Sequence, residues 1–159
     1  MGWHSPMVDL LSTPAEYQIR NPGFAEEVER VFYEAPFVRH LDFELVSFEA
    51  GRCESKVLLQ EKHLQQDGYV HAGVQATLAD HTAGTAAVTL LAEGQIILTA
   101  EFKVNLLRAA KGEQLYCRSW VLKPGGQLII AESELFCLAG DKAELVSKAT
   151  VTLAVVDKR

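Results

Sequence analysis

The sequence predicts an α+β domain in which an antiparallel sheet of five to six strands wraps around one long helix, preceded by a helical extension. Three observations predict it. Val74–Ala92 is one long, almost wholly apolar helical pattern. Several segments around it alternate apolar and polar residues with the period of a half-covered strand. Glycine- and proline-bearing turns separate those segments. A helix apolar on every side cannot bury itself, and the strands have one face to bury, so a sheet wrapped around the helix satisfies both.

Taken in order, the residues before Asn21 read as a loose extension. Asn21-Pro22 is a helix start, with asparagine as N-cap and proline at the first helical position. Glu26 and Glu27 suit the positive end of that helix. Phe24, Val28, Val31 and Phe32 repeat at helical spacing, and Pro36 ends the pattern. We therefore divide the chain into an extension with a helix, 1–35, and a main domain, 36–159. Leu41–Glu49 and Arg52–Leu59 read as strands joined by a hairpin at Ala50-Gly51. The long helix follows a polar turn, Gln65 to Gly73, and ends at Glu93-Gly94. Leu98, Ala100, Phe102, Val104 and Leu106 alternate with polar residues, predicting a strand with one covered face. Gln114–Leu122, Gln127–Leu138 and Glu144–Val156 complete the strands, with Pro124-Gly125-Gly126 and Gly140-Asp141 as turns. The sheet has edges, which pairing with a second copy would cover.

Composition bounds the function. Of the 159 residues, 48% are apolar and 23% charged, which fits a globular domain rather than a disordered chain. The net charge is −6 and no dense Lys/Arg run occurs, which argues against nucleic acid as a partner. Cys53, Cys117 and Cys137 are odd in number and form no Cys-x-x-Cys pair, so they read as reduced thiols in a cytoplasmic protein. The N-terminal residues lack the pattern of a secretory signal. Gln75, Thr77, Asp80, His81 and Thr82 make the long helix too polar for a membrane span.

Asp80 is the residue that demands a reason. An ionised carboxylate within a buried helix is costly unless it is paired, hydrogen-bonded or open to a solvent-filled site. His81 beside it points in a different direction. A metal site from His63, His71, Asp80 and His81 lacks helical i, i+4 ligand spacing. Cys117 reads as a packed strand residue rather than a nucleophile.

The element order, together with His71-Ala72-Gly73 and Leu78-Ala79-Asp80, resembles the hotdog-fold acyl-CoA thioesterases of the phenylacetate-pathway type. Phe37-Val38-Arg39-His40-Leu41 and Phe102-Lys103-Val104-Asn105-Leu106-Leu107-Arg108 support the likeness, which covers roughly Pro36 to Val156. The chain departs from the family's pattern at Ala72, at Gln65 and at Ala109-Ala110, where the family has glycine, asparagine and a turn proline.

The resemblance implies hydrolysis of an acyl-CoA, without cofactor or metal. Asp80 matches the catalytic carboxylate, as nucleophile or as general base on water. The Ala72 N–H matches the donor that polarises the thioester carbonyl. Gln65 stands where an amide helps place nucleophile or water, Thr99 where a hydroxyl touches the water, and His71 where a histidine orients the turn. Gly73 and Tyr69 would border the substrate, and Arg108 and Lys111 would meet the phosphates of coenzyme A. The family's site lies between two subunits, implying a homodimer or dimer of dimers. Spacing agrees: Ala72 and Asp80 are eight residues apart, about 12 Å along a helix, too far for one carbonyl to meet both. Two other readings are a non-catalytic acyl-CoA-binding module and a hydroxyacyl-thioester dehydratase. The latter needs a histidine base and a His-Phe-Pro-type turn, and no such turn precedes the helix.

Overall fold

The structure, a computed structural model, describes residues 17–158; most of the loose extension lies outside them. Helix α1 spans Phe24–Glu34. Asn21 caps its approach, its side-chain oxygen accepting from the Gly23 N–H at 2.9 Å and its carbonyl from the Phe24 N–H at 3.1 Å. Pro22 and Gly23 thus form a turn, and the helix begins two residues later than expected. Val28 and Phe32, one turn apart, are fully buried. Pro36 ends α1 and opens the short helix α2, Pro36–Arg39, at a position where its missing N–H costs nothing.

Strands β1 (Glu44–Glu49) and β2 (Arg52–Leu58) form the expected hairpin, with Gly51 at φ 73° in its turn. A single 3₁₀ turn, Glu61–His63, leads to the main helix, α3, Ala72–Val88. The helix stops four residues short of the apolar pattern. Thr89 explains why: its hydroxyl donates to the Ala86 carbonyl at 2.6 Å and accepts the Gly51 N–H at 2.8 Å, tying the helix end to the β1–β2 turn. Strands β3 (Gln95–Leu106), β4 (Gln114–Lys123), β5 (Leu128–Ala139) and β6 (Lys142–Asp157) follow.

The six strands form one antiparallel sheet in the order β1-β2-β4-β5-β6-β3. Helix α3 lies in its concave face and touches β2 through β6. The close fit follows from small residues. Ala79, Ala83, Gly84, Ala86 and Ala87 are buried along the helix, against large strand residues such as Leu115, Ile129, Leu135 and Leu153. Each such side chain contributes roughly 1.5–3 kcal/mol by leaving water. Four hydroxyls inside this interface are paired: Ser55 with Thr82 and Ser119 with Ser133, each at 2.6 Å, and Ser133 donates to the Ala79 carbonyl at 2.8 Å. Pairing removes the penalty of burying them.

One expectation is corrected at β3. The apolar alternation from Leu98 to Leu106 does not mark a single covered face. A bulge lies between Thr99 and Glu101, leaving Ala100 unpaired. Directly opposed residues share a face. Thr99 opposes the buried Leu153, and beyond the bulge Phe102 opposes the buried Val151. Thr99, Phe102, Val104 and Leu106 therefore face inward, and Leu98 faces outward. Because β3 is an edge strand, Leu98 is 57% exposed, Phe102 44% and Leu106 52%. Among the described residues, no helix is long and apolar enough to cross a membrane.

Candidate active site

The turn before α3 is closed by backbone bonds. Gln65 N–H donates to the Tyr69 carbonyl at 2.8 Å and Gly68 N–H to the Gln65 carbonyl at 3.0 Å, with Gly68 at φ 83°. Such a φ suits glycine, which carries no Cβ to clash. The Gln65 side-chain oxygen accepts the Asp67 N–H, which folds the amide onto its own turn. Val70 N–H donates to the Ala110 carbonyl at 2.9 Å, pinning the turn to the loop after β3.

His71 is the N-cap of α3. Its Nδ1 accepts the Gly73 N–H at 2.8 Å, and its carbonyl accepts the N–H groups of Val74 and Gln75. A Cβ at Gly73 would stand 3.0 Å from that ring nitrogen, so glycine gives the capping ring its room. Of the first N–H groups of the helix, that of Ala72 has no acceptor among the described residues. It lies at an exposed helix N-terminus, where the dipole favours developing negative charge.

Two turns further along α3, Asp80 accepts a hydrogen bond from the Thr99 hydroxyl at 2.8 Å. The β3 bulge turns Thr99 inward to make that contact. No cation pairs with Asp80 among the described residues. Burial pushes its carboxyl above the usual carboxylate range, while the Thr99 hydroxyl and the neighbouring His81 draw it partly back. His81 itself turns toward α1, where its Nε2 meets the Phe32 carbonyl at 3.0 Å and its ring packs on the Phe32 ring. Burial holds its basicity below the ordinary value.

The sequence-predicted residues thus fall into two groups within one chain. Asp80 and Thr99 form the first. Gln65, Tyr69, Ala72 and Arg108 form the second, lining a cleft of about 380 Å³ with Gln75, Leu106 and Leu107. Asp80 and Thr99 are not part of that cleft. Lys111 stands 5.8 Å from the Tyr69 ring centre at the cleft's side. Arg108 is ion-paired with Glu144 at 3.1 Å and donates to the Leu145 carbonyl at 3.1 Å. Any phosphate it met would share it with Glu144. Sequence reasoning assigned no part in the cleft to Gln75, Leu106 and Leu107. The signal for Gln75 is its spacing: three residues after Ala72, it projects from the same helix face.

Known proteins of this architecture carry related sequences. Residues 67–144 match the family described as the thioesterase superfamily. A 1,4-dihydroxy-2-naphthoyl-CoA hydrolase of Listeria monocytogenes is 25% identical over 119 residues, 75% of this chain and 94% of that protein. The crystal structure of a thioesterase family protein from Silicibacter pomeroyi superposes with a TM-score of 0.83 at 32% identity, covering 85% of this chain and 99% of that one. A hypothetical thioesterase of Streptococcus pneumoniae, solved with coenzyme A, superposes with a TM-score of 0.70 at 21% identity, over 80% of this chain and 96% of that one. Sharing this fold with a relative that it matches at 32% identity over nearly that relative's full length, the chain belongs to the thioesterase superfamily and is a thioester hydrolase.

Proposed function

We propose that the protein hydrolyses an acyl-CoA at a site formed between two copies of the chain. Asp80 and Thr99 of one copy face Gln65, Ala72 and Tyr69 of the other. The observation that carries this reading is the Asp80 carboxylate, held on a buried helix by a single hydroxyl and by no cation. Such a group is a poor structural element and a good nucleophile or base. The unengaged Ala72 N–H is the natural counterpart, since hydrolysis builds negative charge on the carbonyl oxygen.

In this mechanism the thioester carbonyl accepts the Ala72 N–H of one copy. Asp80 of the other copy attacks the carbonyl carbon, or takes a proton from a water that does so. Thr99, donating to Asp80, fixes the carboxylate's orientation. Gln65 holds the turn in shape through the Asp67 N–H. The C–S bond breaks and the coenzyme A thiolate takes a proton that originates from water. Where water attacked, the acyl group leaves as the acid; where Asp80 attacked, a water then cleaves the resulting mixed anhydride to give the acid and restore the carboxylate. Lys111, beside Tyr69, is the freer cation for coenzyme A phosphates, with Arg108 held by Glu144. The named relative acts on an aryl thioester, which favours an aryl acyl group; a medium-chain group fits the same apolar cleft wall. The three free, buried cysteines favour a reducing, cytoplasmic setting.

Thiol release from a panel of aryl and medium-chain acyl-CoAs tests the reading. The wild type turns over at least one of them, and Asp80→Asn loses about 10²–10⁴-fold in kcat. Turnover by Asp80→Asn at the wild-type rate sinks the assignment, and binding without any turnover by the wild type makes the protein a sensor rather than an enzyme.

A further inference from the structure

Two buried side-chain atoms among the described residues lack a hydrogen-bond partner: Gln75 Oε1 and Ser147 Oγ. Ser147 lies on β6, outside the lining of the cleft. Gln75 forms part of the cleft wall and is only 4% exposed. Its Nε2 donates to the Val70 carbonyl at 3.3 Å, which fixes how the amide lies and leaves the oxygen as an unused acceptor. The other polar side chains nearby on α3 are satisfied. Thr77, Thr82 and Thr85 each donate to the carbonyl four residues back, at 2.6–2.8 Å. A buried amide oxygen without a donor is costly, and native folds keep few of them without a use.

Gln75 follows Ala72 by three positions. The two share a helix face, about 4.5 Å apart along the axis. We propose that Gln75 is a specificity-determining residue whose amide oxygen accepts a hydrogen bond from an N–H or O–H group of the bound thioester, one helical turn from the carbonyl. This rests on the reading that places the thioester carbonyl at Ala72. Two parts of an acyl-CoA carry such a donor near the thioester: a hydroxyl on the acyl group, and the amide of the pantetheine arm on the sulfur side. Tyr69, Leu106 and Leu107 supply the apolar surface that would exclude water from this bond.

Affinity is the readout, measured by calorimetry in the Asp80→Asn background so that turnover does not enter. Gln75→Met keeps the volume and removes the acceptor; Gln75→Leu serves if that variant does not fold. The ligands are 2-hydroxybenzoyl-CoA, benzoyl-CoA, benzoyl-N-acetylcysteamine and S-pentyl thiobenzoate, the last without an amide. If the acyl hydroxyl is the donor, Gln75→Met weakens 2-hydroxybenzoyl-CoA about tenfold, the scale of one neutral hydrogen bond, and spares benzoyl-CoA. If the pantetheine amide is the donor, all three amide-bearing thioesters weaken about tenfold and S-pentyl thiobenzoate does not. Equal weakening of all four ligands, or of none, overturns the proposal. Failure of the wild type to release thiol would count against hydrolysis alone, because these affinities are read without it.

Discussion

The chemistry proposed for Asp80 opposes the stability of the fold that holds it. Burial raises its carboxyl above the ordinary value of 3.8, so the folded state holds that proton more tightly than the unfolded chain does. The stabilising contribution is complete below the unfolded value and is lost as pH rises through the folded one. At neutral pH the charged form is therefore a burden on the fold. Asp80→Asn is expected to melt a few degrees above wild type at pH 7 while being nearly inactive, and the gain is expected to fade as pH falls below the ordinary carboxylate range; calorimetric melting across pH 3–8 checks this. A variant less stable than wild type at pH 7 would mean that Asp80 is a structural group. The role proposed for Asp80 gives the pH–rate profile an expected direction, with kcat climbing as the carboxylate forms. Asp80 was legible in the sequence because a lone acid in an apolar helix is conspicuous. Its partner Thr99 was legible through family resemblance alone. Gln75 was not assigned a role, since a glutamine in an apolar helix looks like one more tolerated polar residue until its unpaired oxygen is seen.

At the scale of elements, α1 is fastened to the main helix by Phe32. Its ring is buried, and its carbonyl accepts from His81. Removing that imidazole leaves a carbonyl without its donor and a gap beside the ring, so His81→Ala is expected to destabilise by about 1–3 kcal/mol and to speed hydrogen exchange across α1 more than across β4–β5. Uniform exchange would show that the contact does not fasten α1. Burial holds His81 below its ordinary 6.5, so its contribution is present above that value and lost as pH falls through the depressed one. Acid is expected to loosen α1 in the wild type, and this part of the acid response should vanish in His81→Phe, as read by exchange at pH 5 and 7. The elements themselves were largely legible, because the 3.6 and 2.0 periods are strong along this chain. Their ends were less so. Asn21 capped a turn rather than a first helical residue, and Thr89 closed α3 through a hydroxyl bond to a distant hairpin, a contact that local pattern does not encode. The β3 bulge is not legible in the sequence for a related reason: apolar residues on both sides of Ala100 keep an even spacing while the backbone changes face.

For the whole molecule, the exposed edge of β3 and the division of the site into two groups point the same way. Phe102→Glu is expected to turn an oligomer into a monomer by light scattering and to lower kcat/KM at least 10²-fold with Asp80 untouched; a monomeric wild type of full activity would contradict the shared site. A mixing experiment is more direct. Ala72 is the first residue of α3, and His71 before it has the extended backbone, φ −59° and ψ 136°, that a following proline requires. Ala72→Pro therefore deletes the N–H with little strain and is expected to cost about 10²–10³-fold in kcat. Mixed subunits of Ala72→Pro and Asp80→Asn, each nearly inactive alone, are expected to regain about a quarter of wild-type activity, because half the dimers are hybrids with one intact site each; no recovery would place both groups in one chain. The bulge at Ala100 acquires a wider meaning from this. It works as a frame shift written into a single strand: upstream the odd-numbered Thr99 turns to the helix side of the sheet, and downstream the even-numbered Phe102 and Leu106 do, so the extra residue brings all three to one face. Because a single unpaired residue joins the two frames, a regular strand through the same residues would leave Thr99 and Phe102 on opposite faces, so that one end of the strand would keep its inward set only by turning the other end's outward.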